Sequence, residues 1–369
     1  MIIKDCTKII AKDIYIPSSD SISITNSTLL FKAGCGIYCD GAFDAKDSHF
    51  LPYDENSHWK NITISSSSLS TIENCTFKKG SGRALKEYEN SYIYKYFRFV
   101  DDIVFASTHG ERYSDIELKD FFDETYGGAL CCINTSVTGC NFYDCYSDCD
   151  GGSINAAQNT TIRHCKFYNS YSEGDGGAVY LDSGSIINSE FYDCLAKDSG
   201  GAVRLGNYAN IKKCQFIRCH AYNNGGAICS ESRNSIAHSL FKECSSKRAG
   251  AINGECRLYC NDFINCRGSF IVVFDIGIGR MESSRFLRCE AKKSIVCSLL
   301  HAVHVSHNRF YYCKSGESIV DMSGGALQRN LFYKNDSVLL ADLRESVVVK
   351  NKTFKNSSDK WELMDCDIG

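Results

Sequence analysis

A tripeptide motif, Gly-Gly-Ala followed by an aliphatic residue, recurs along much of this 369-residue chain and constrains its fold more than any other feature. Copies of the motif, two of them weakened by one substitution, begin at Gly127, Gly151, Gly176, Gly200, Gly225, Ala249 and Gly324. The first six are spaced by 24, 25, 24, 25 and 24 residues. A fixed period of this length is typical of a solenoid, in which each repeat packs against its two neighbours.

A series of phenylalanines has the same period and continues beyond the last regular copy of the glycine motif. Phenylalanines recur at intervals of 22 to 25 residues, at Phe142, Phe167, Phe191, Phe216, Phe241, Phe263, Phe286, Phe310, Phe332 and Phe354. An apolar residue stands five positions before each, at Val137, Ile162, Ile186, Ile211, Ile236, Leu258, Met281, Val305, Leu327 and Val349. The pairs Ile72 with Phe77 and Ile116 with Phe121 extend the series toward the N-terminus. This pattern predicts columns of equivalent side chains inside one rod.

The segments between these markers have the pattern of short β-strands. Runs such as residues 202–205 alternate apolar with polar residues and are bounded by Gly, Asn, Asp or Ser. No repeat contains a stretch of helical length with apolar residues at helical spacing. The sequence therefore predicts an all-β fold, a right-handed parallel β-helix solenoid of roughly 12–14 coils of about 22–25 residues, with about 4.8 Å between coils.

We expect a single elongated domain. Residues 1–20 are predicted to form an N-terminal cap, residues 21–357 the β-helix, and residues 358–369 a C-terminal cap or tail. At about residues 86–115 the chain is too long for one coil and rich in Tyr and Phe, which predicts a lateral aromatic insertion. Long insertions in repeat proteins often carry binding, and packing of these aromatics on the rod is the alternative.

About half of the 22 cysteines follow the same period. One series stands two residues before Phe and includes Cys140, Cys165 and Cys214; a second stands three residues after Phe, at Cys145, Cys194, Cys219, Cys244, Cys266, Cys289 and Cys313. Side chains on successive parallel strands have parallel Cβ vectors, a poor geometry for disulfides. We therefore expect buried thiols, which favour a reducing compartment, and no zinc site, since paired Cys-x-x-Cys motifs are missing.

The paired motifs Gly-Gly-Ala-[Ile/Leu/Val] and Cys-x-Phe-x-x-[Asn/Cys] resemble the repeat of the polymorphic outer-membrane-protein family of chlamydiae over about residues 116–357. In this chain, Cys usually replaces the Asn of the family's second motif. The resemblance implies a pectate-lyase-like β-helix with an adhesive role at a cell surface, and a glycan or partner-protein surface as its ligand. Fold analogy alone does not establish function.

Charge and hydropathy bear on the remaining classes of partner. The formal net charge of −3 at pH 7 gives no overall basic field for nucleic acid. No apolar run reaches the length of a membrane span, and the N-terminus lacks the apolar region of a secretory signal. We expect no nucleic-acid partner and no transmembrane segment. Localisation stays open between the cell surface, implied by the resemblance, and the cytoplasm, favoured by the missing signal and the thiols.

Polar residues that follow the glycine motif should point away from the core, because strands have a period of two. Asp182 and Glu231 are expected two coils apart, about 9.6 Å, at the upper end of the separation between acid and base in inverting glycosidases. Arg204 lies between them and suits a sugar carboxylate or sulfate. Asp182, Arg204 and Glu231 are therefore the catalytic candidates, and ordinary solvated charges with Arg204 paired to both acids are the alternative.

The same predicted face supplies candidates for ligand binding without catalysis. These are Tyr180, Arg204, Asn253 and Glu255. Before the glycine pair, Asp150 and Asp175 occupy equivalent positions on adjacent coils and form a candidate calcium site, since calcium prefers oxygen ligands. The alternative is a turn position that favours short polar residues. No other metal or cofactor is predicted.

Three hypotheses for function follow. The leading one is a non-catalytic recognition or adhesion scaffold that binds a glycan or a protein partner. The first alternative is a carbohydrate-active lyase or hydrolase centred on Asp182, Arg204 and Glu231. The second is an intracellular structural repeat protein.

Overall fold

The computed structural model describes residues 1–66, 68–84, 125–275, 280–298, 303–349, 351–357 and 360–366. Within these ranges the chain forms strands and turns, with no helix. Strands pair in parallel with their equivalents one coil further along. This topology confirms the predicted right-handed parallel β-helix. The insertion predicted at about residues 86–115 lies outside the described residues.

One strand from each coil joins what we call the phenylalanine sheet. Its strands are Thr7–Ile10, Thr28–Phe31, His49–Pro52, Thr76–Lys78, Asn141–Tyr143, Lys166–Tyr168, Glu190–Tyr192, Gln215–Ile217, Leu240–Lys242, Asp262–Ile264, Arg285–Leu287, Arg309–Tyr311, Leu331–Tyr333, Asn351–Ser357 and Lys360–Cys366. The last of these 15 strands pairs antiparallel with its neighbour, which leaves 14 parallel strands. The number of coils therefore falls in the predicted range.

A second sheet, the glycine-motif sheet, contains the two strands of each coil that follow the glycine motif and precede the strand of the phenylalanine sheet. Its 23 strands are Ile2–Lys4, Ile14–Ile16, Ser21–Thr25, Ile37–Cys39, Ala42–Lys46, Ile62–Ile64, Ser70–Glu73, Leu130–Cys132, Thr135–Thr138, Ile154–Ala156, Thr160–Arg163, Val179–Leu181, Gly184–Ile187, Val203–Leu205, Asn210–Lys212, Ile228–Ala237, Ala249–Tyr259, Ile271–Asp275, Arg280–Glu282, Ser294–Ser298, His304–Ser306, Ser318–Gln328 and Leu339–Val349. From Ile228 onward, some coils merge two short strands into one long strand.

The third sheet, here called the short-strand sheet, has two-residue strands in eight successive coils. They are Tyr146–Ser147, Tyr171–Ser172, Leu195–Ala196, His220–Ala221, Ser245–Ser246, Arg267–Gly268, Glu290–Ala291 and Lys314–Ser315. A separate antiparallel pair, Arg83–Ala84 with Thr125–Tyr126, brings together the two ends of the chain segment between them. In four successive coils, the glycine motif that begins at Gly151, Gly176, Gly200 or Gly225 lies between the short strand and the next strand of the glycine-motif sheet. The copy that begins at Gly324 lies inside strand Ser318–Gln328 instead and is not equivalent to these.

Phenylalanine rings stack face to face inside the rod. Neighbouring centroids are 4.5–5.1 Å apart, with ring planes within 12° of parallel. The stack consists of Phe50, Phe77, Phe142, Phe167, Phe191, Phe216, Phe241, Phe263, Phe286, Phe310 and Phe332, all of them buried. The column predicted from the period is confirmed over this range.

Two sharp corners hold each phenylalanine strand in place. Around Phe216, for example, Lys213 and Arg218 have φ values of 56° and 53°. Around Phe191, Asn188 and Asp193 have φ values of 50° and 54°. Such left-handed backbone is uncommon outside glycine, and its recurrence limits most of these strands to three residues.

The glycine pair makes the third corner, as predicted, and its two members act differently. Gly200 has a φ of 68°, which a residue with a Cβ rarely adopts. Gly201 has no room for a Cβ, which would overlap the carbonyl oxygens of Gly226 and His220. Ala202, which follows, is fully buried. The motif therefore combines one unusual backbone angle with one close approach between coils.

The second cysteine series forms an internal thiol ladder, defined by Cys145, Cys194, Cys219, Cys244, Cys266, Cys289 and Cys313, all buried thiols. The thiol of Cys244 donates to the carbonyl oxygen of Phe216 in the preceding coil at 3.4 Å. At the end of the ladder Asn335 donates from Nδ2 to the equivalent oxygen of Phe310 at 3.1 Å. Cys and Asn therefore satisfy the same buried carbonyl group, which explains why either residue suits this position.

One predicted member of the phenylalanine column is out of register, and another lies outside the described residues. Phe77 pairs directly with Phe142, and the predicted pair Ile116 with Phe121 falls on residues that the structure does not describe. At the other end Phe354 pairs with Tyr333, one residue out of the predicted register. The spacing between phenylalanines does not reveal this change of register near the C-terminal end of the rod.

The terminal segments have strand structure. Residues 1–20 contain three strands that pair in parallel with the next coil, so the predicted N-terminal cap consists of solenoid strands. Strand Lys360–Cys366 turns back and pairs antiparallel with Asn351–Ser357. Whether this hairpin caps the rod stays a prediction.

Candidate functional site

The predicted polar face forms one continuous column on the glycine-motif sheet. Asn155, Tyr180, Arg204, Cys229 and Asn253 are successive cross-strand partners. However, Asn155 is fully buried and Asn253 is only 8% exposed. Asn253, a predicted ligand-binding residue, is therefore buried, although the side chains of this column point away from the phenylalanine core.

Arg204 is the centre of a partly buried ion cluster. Its Nη2 donates to Oε1 of Glu231 at 3.1 Å, which agrees with the alternative of ordinary paired charges, and its Nε lies 3.4 Å from Oδ2 of Asp175. Its Nη1 lies 2.8 Å from the sulfur of Cys229, and the Arg204 side chain is 20% exposed. The second oxygen of Glu231 accepts from the amide of Asn207 at 3.2 Å. The arginine is thus held by carboxylates on two sides.

The acid on the second side differs from the one predicted. Asp175 comes from the corner before the preceding strand, whereas Asp182 lies beyond that strand, with its carboxylate against the backbone of Gly206. Asp182 and Glu231 do occupy equivalent positions two coils apart, because Leu205 pairs with both Leu181 and Ser230. The sequence showed three charges in adjacent coils but not which carboxylate turns toward the guanidinium.

Burial dominates the electrostatics of this cluster. Burial raises the pKa of the Asp175 carboxyl, and the Arg204 guanidinium opposes that rise. Burial likewise raises the pKa of the Cys229 thiol, again against the effect of Arg204. Burial also raises the pKa of the Tyr180 hydroxyl well above its usual value. A protonated thiol and phenol beside a paired arginine suit a structural network better than nucleophilic chemistry.

The two aspartates of the candidate calcium site act on the backbone of the following coil. Oδ1 of Asp150 accepts from the Asp175 amide at 2.7 Å, and Oδ1 of Asp175 accepts from the Ser199 amide at 2.9 Å. In the next coil Asn224 donates to the Ser199 hydroxyl at 3.3 Å. Within the described ranges, no three His, Cys, Asp or Glu side chains come together to hold a metal. These bonds explain the short polar residues, and calcium binding stays a prediction.

Open grooves occur along a different edge, where the short-strand sheet turns into the glycine motif. Two adjoining grooves of about 530 and 450 Å³ share Lys247. We call them together the basic groove, defined by His220, Tyr222, Lys247, Arg248, Arg267, Phe270, Lys292 and Lys293. Tyr222 is 64% and Phe270 53% exposed, so both side chains can contact a partner.

Acidic and basic residues occupy separate sections of this edge of the rod. In the three coils that span residues 146–199, the residues between the short strand and the glycine motif include Asp148, Asp150, Glu173, Asp175 and Asp198, against one Lys. In the next coils the basic groove carries five Lys and Arg residues, with Glu290 as the acid among its lining residues. The sequence contains this signal, but it becomes visible only when equivalent corners of successive coils are compared.

A third groove, of about 640 Å³, lies at the corner within the glycine-motif sheet. It contains Glu255, one of the predicted ligand-binding residues, together with Arg257, Tyr208 and Arg233. The Arg233 guanidinium lies 5.2 Å from the centroid of the Tyr208 ring, and Tyr208 is 60% exposed. Glu255, one of the predicted ligand-binding residues, thus lines an open groove.

No helix in the described portion of the chain is long and apolar enough to cross a membrane. No protein-family model matches the sequence. No curated protein matches it either.

Several solved structures are similar to the chain. They include ORF18 of Geobacillus virus E2, with 10% identity and a TM-score of 0.23 over 96% of this chain and 58% of that one. A hyperthermoactive exopolygalacturonase from Thermotoga maritima has 9% identity and a TM-score of 0.31 over 97% and 86% of the two chains. PfbA, a surface adhesin of Streptococcus pneumoniae, has 10% identity and a TM-score of 0.31 over 99% and 87%. The chain spans 58% of the length of the viral protein. The resemblance of the repeats to the chlamydial family stays a prediction.

Proposed function

We propose that the protein is a non-catalytic recognition scaffold that binds a glycan or protein partner along the edge of its rod. The basic groove carries this proposal, because it presents exposed aromatic and cationic side chains on successive coils. Lys247 and Lys292 form no salt bridge with any other residue that the structure describes. Exposed side chains that the fold does not use, set in an open groove, are typical of a binding surface.

The regular repeat adds to this support. Ser245, Arg267 and Glu290 are direct cross-strand partners in adjacent coils, so the groove offers a new set of side chains about every 4.8 Å along the axis. A partner with its own linear repeat, such as a polysaccharide, can contact several such sets at once. Many weak contacts add to a useful affinity when they are held in a fixed row.

No observation specifically favours the enzymatic alternative. Both carboxylate oxygens of Glu231 accept hydrogen bonds, from Arg204 and Asn207, and Arg204 is itself shared with Asp175. A carboxylate in such a network orients an arginine, and a general acid would have to hold a proton there beside a cation. The catalytic roles of Asp182, Arg204 and Glu231 therefore remain an untested alternative.

A glycan array with neutral and acidic oligosaccharides tests the proposal. We expect binding by the wild type and its loss in the double variant Tyr222→Ala/Lys247→Ala. The matched control, Tyr259→Ala/Lys212→Ala, makes the same chemical change at exposed positions of the glycine-motif sheet and should bind normally. Incubation with the same glycans, followed by product analysis, provides the contrast with catalysis.

Two results would overturn the proposal. Turnover of a polysaccharide that depends on Asp182 or Glu231 would make the protein an enzyme. Absence of binding to every glycan, together with no effect of the groove variant on attachment to cells, would favour a structural repeat protein.

A further inference from the structure

The geometry points to an anionic polysaccharide, bearing carboxylates or sulfates on successive units, as the ligand of the basic groove. This inference rests on the proposed function and adds the chemical class of the ligand. It depends on three features of the groove: its excess of cations, their spacing along the axis, and the aromatic side chains beside them.

The cations exceed the acids that are close enough to neutralise them. Arg267 lies 3.6 Å from Glu290, and Lys293 lies 3.1 Å from Asp321, whose side chain is 2% exposed. These two pairs account for two of the five cations. Lys247 and Lys292, which form no salt bridge with the residues that the structure describes, provide the excess charge. Because the whole chain has a net charge of −3, the groove is a local reversal of sign that concentrates an anion at this edge.

The cations are arranged along the rod rather than around a point. Lys247 and Lys292 follow strands that are two coils apart, with Arg267 on the coil between them. Successive coils are about 4.8 Å apart, so a chain lying parallel to the axis meets a cation on each of three coils. A single small anion would use one or two of these groups, whereas a polymer with one acidic group per unit can use them all.

The aromatic residues favour a sugar chain among the possible polyanions. Tyr222 and Phe270 are exposed beside the cations and offer apolar faces for the CH surfaces of sugar rings. The hydroxyls of Ser245 and Ser269 line the same groove and suit sugar hydroxyls.

The shortness of the basic section argues against nucleic acid. It spans four coils, about 15 Å. Glu173 and Asp198 lie on the same edge in the two coils immediately before it. A nucleic acid carries a phosphate at every nucleotide and would meet these acids as it continued along the rod. A short run of acidic sugars avoids this repulsion.

Isothermal titration with four probes tests the inference. The probes are a heparin-derived sulfated oligosaccharide, an oligogalacturonate, a neutral dextran oligosaccharide and a single-stranded oligodeoxynucleotide. We expect the two acidic sugars to bind best, with affinity that falls as NaCl is added, because salt screens exposed charges. The variant Lys247→Ala/Lys292→Ala should weaken this binding about tenfold or more, since each ammonium can form a charge-assisted hydrogen bond.

The control variant Lys8→Ala/Lys212→Ala removes the same charge from exposed sites outside the groove and should bind within about twofold of the wild type. Equal or tighter binding of neutral dextran, with the groove variant still impaired for it, would overturn the anionic class while leaving the recognition function intact. Tighter binding of the oligodeoxynucleotide would also overturn the inference. Binding of acidic sugars that both variants retain would place their site elsewhere, and binding of none of the probes to any form would count against both proposals.

Discussion

Removal of one ring from the middle of the phenylalanine stack should destabilise the rod far more than removal of its outward-pointing neighbour. Phe216 is fully buried, and its ring centroid lies 4.9 Å from that of Phe191 and 4.9 Å from that of Phe241. Replacement of a buried Phe by Ala usually costs about 3–5 kcal/mol. Two stacking contacts are lost here, each of about 0.5–1.5 kcal/mol. We therefore expect Phe216→Ala to lower the free energy of unfolding by about 4–5 kcal/mol.

Urea unfolding followed by circular dichroism measures this effect. Ile217→Ala is the matched control, because Ile217 is the next residue on the same strand and is only partly buried; we expect a loss of about 1 kcal/mol or less. Phe216→Leu keeps much of the volume without the ring and should lie between the two, at about 1–2 kcal/mol. Hydrogen exchange should show the largest loss of protection in the coils next to Phe216, since each coil contacts only its neighbours. If Phe216→Ala were no more destabilising than Ile217→Ala, the idea that stacked rings stabilise the rod would fail.

Three further outcomes follow from the structure. Arg204→Ala should cost about 2 kcal/mol near neutral pH, because it leaves the carboxylate of Asp175 without its cation. Burial raises the folded-state pKa of Asp175, so the charged carboxylate lowers stability as the pH rises through that pKa. Urea titrations should therefore show that Arg204→Ala lowers the free energy of unfolding less at about pH 4 than at neutral pH. An equal loss at both pH values would contradict this account. Gly201→Ala should lower the free energy of unfolding by about 3 kcal/mol, because the added Cβ overlaps the backbone of the neighbouring coil. Gly34 has a φ of 70° with open space around it, so Gly34→Ala should cost only about 1 kcal/mol in the same assay. Similar losses for the two variants would argue against the close approach between coils. Iodoacetamide at mildly alkaline pH should label the exposed Cys6 in the native protein but leave the internal thiol ladder unlabelled until urea unfolds it. The reason is that burial hides these thiols and raises the pKa of Cys219, Cys244 and Cys289. Equal labelling of Cys6 and the ladder, measured by peptide mass spectrometry, would refute the burial of the ladder.

The interior of the rod could be predicted from the sequence because its order is repetitive and local. Equivalent residues in successive coils pair in register, so a fixed period places Phe167, Phe191 and Phe216 in one column without knowledge of anything distant. The same reasoning placed the thiols. It failed at Phe354, where a shift of one residue changes the pairing, because spacing between phenylalanines cannot detect a change of register at the end of a solenoid.

The candidate sites depended on arrangements that a period does not specify. The second carboxylate beside Arg204 belongs to Asp175, from an earlier corner, and not to Asp182, because the directions of long side chains at corners are set by the packing of several coils. The basic groove was missed because its residues belong to different coils and share no motif. The sequence by itself thus determined the rod, its core columns and its glycine corners, since each follows from backbone preference and one repeated step. Only the tertiary structure decided which charges meet and which remain exposed at the edge, because those contacts depend on how side chains from several coils converge in space.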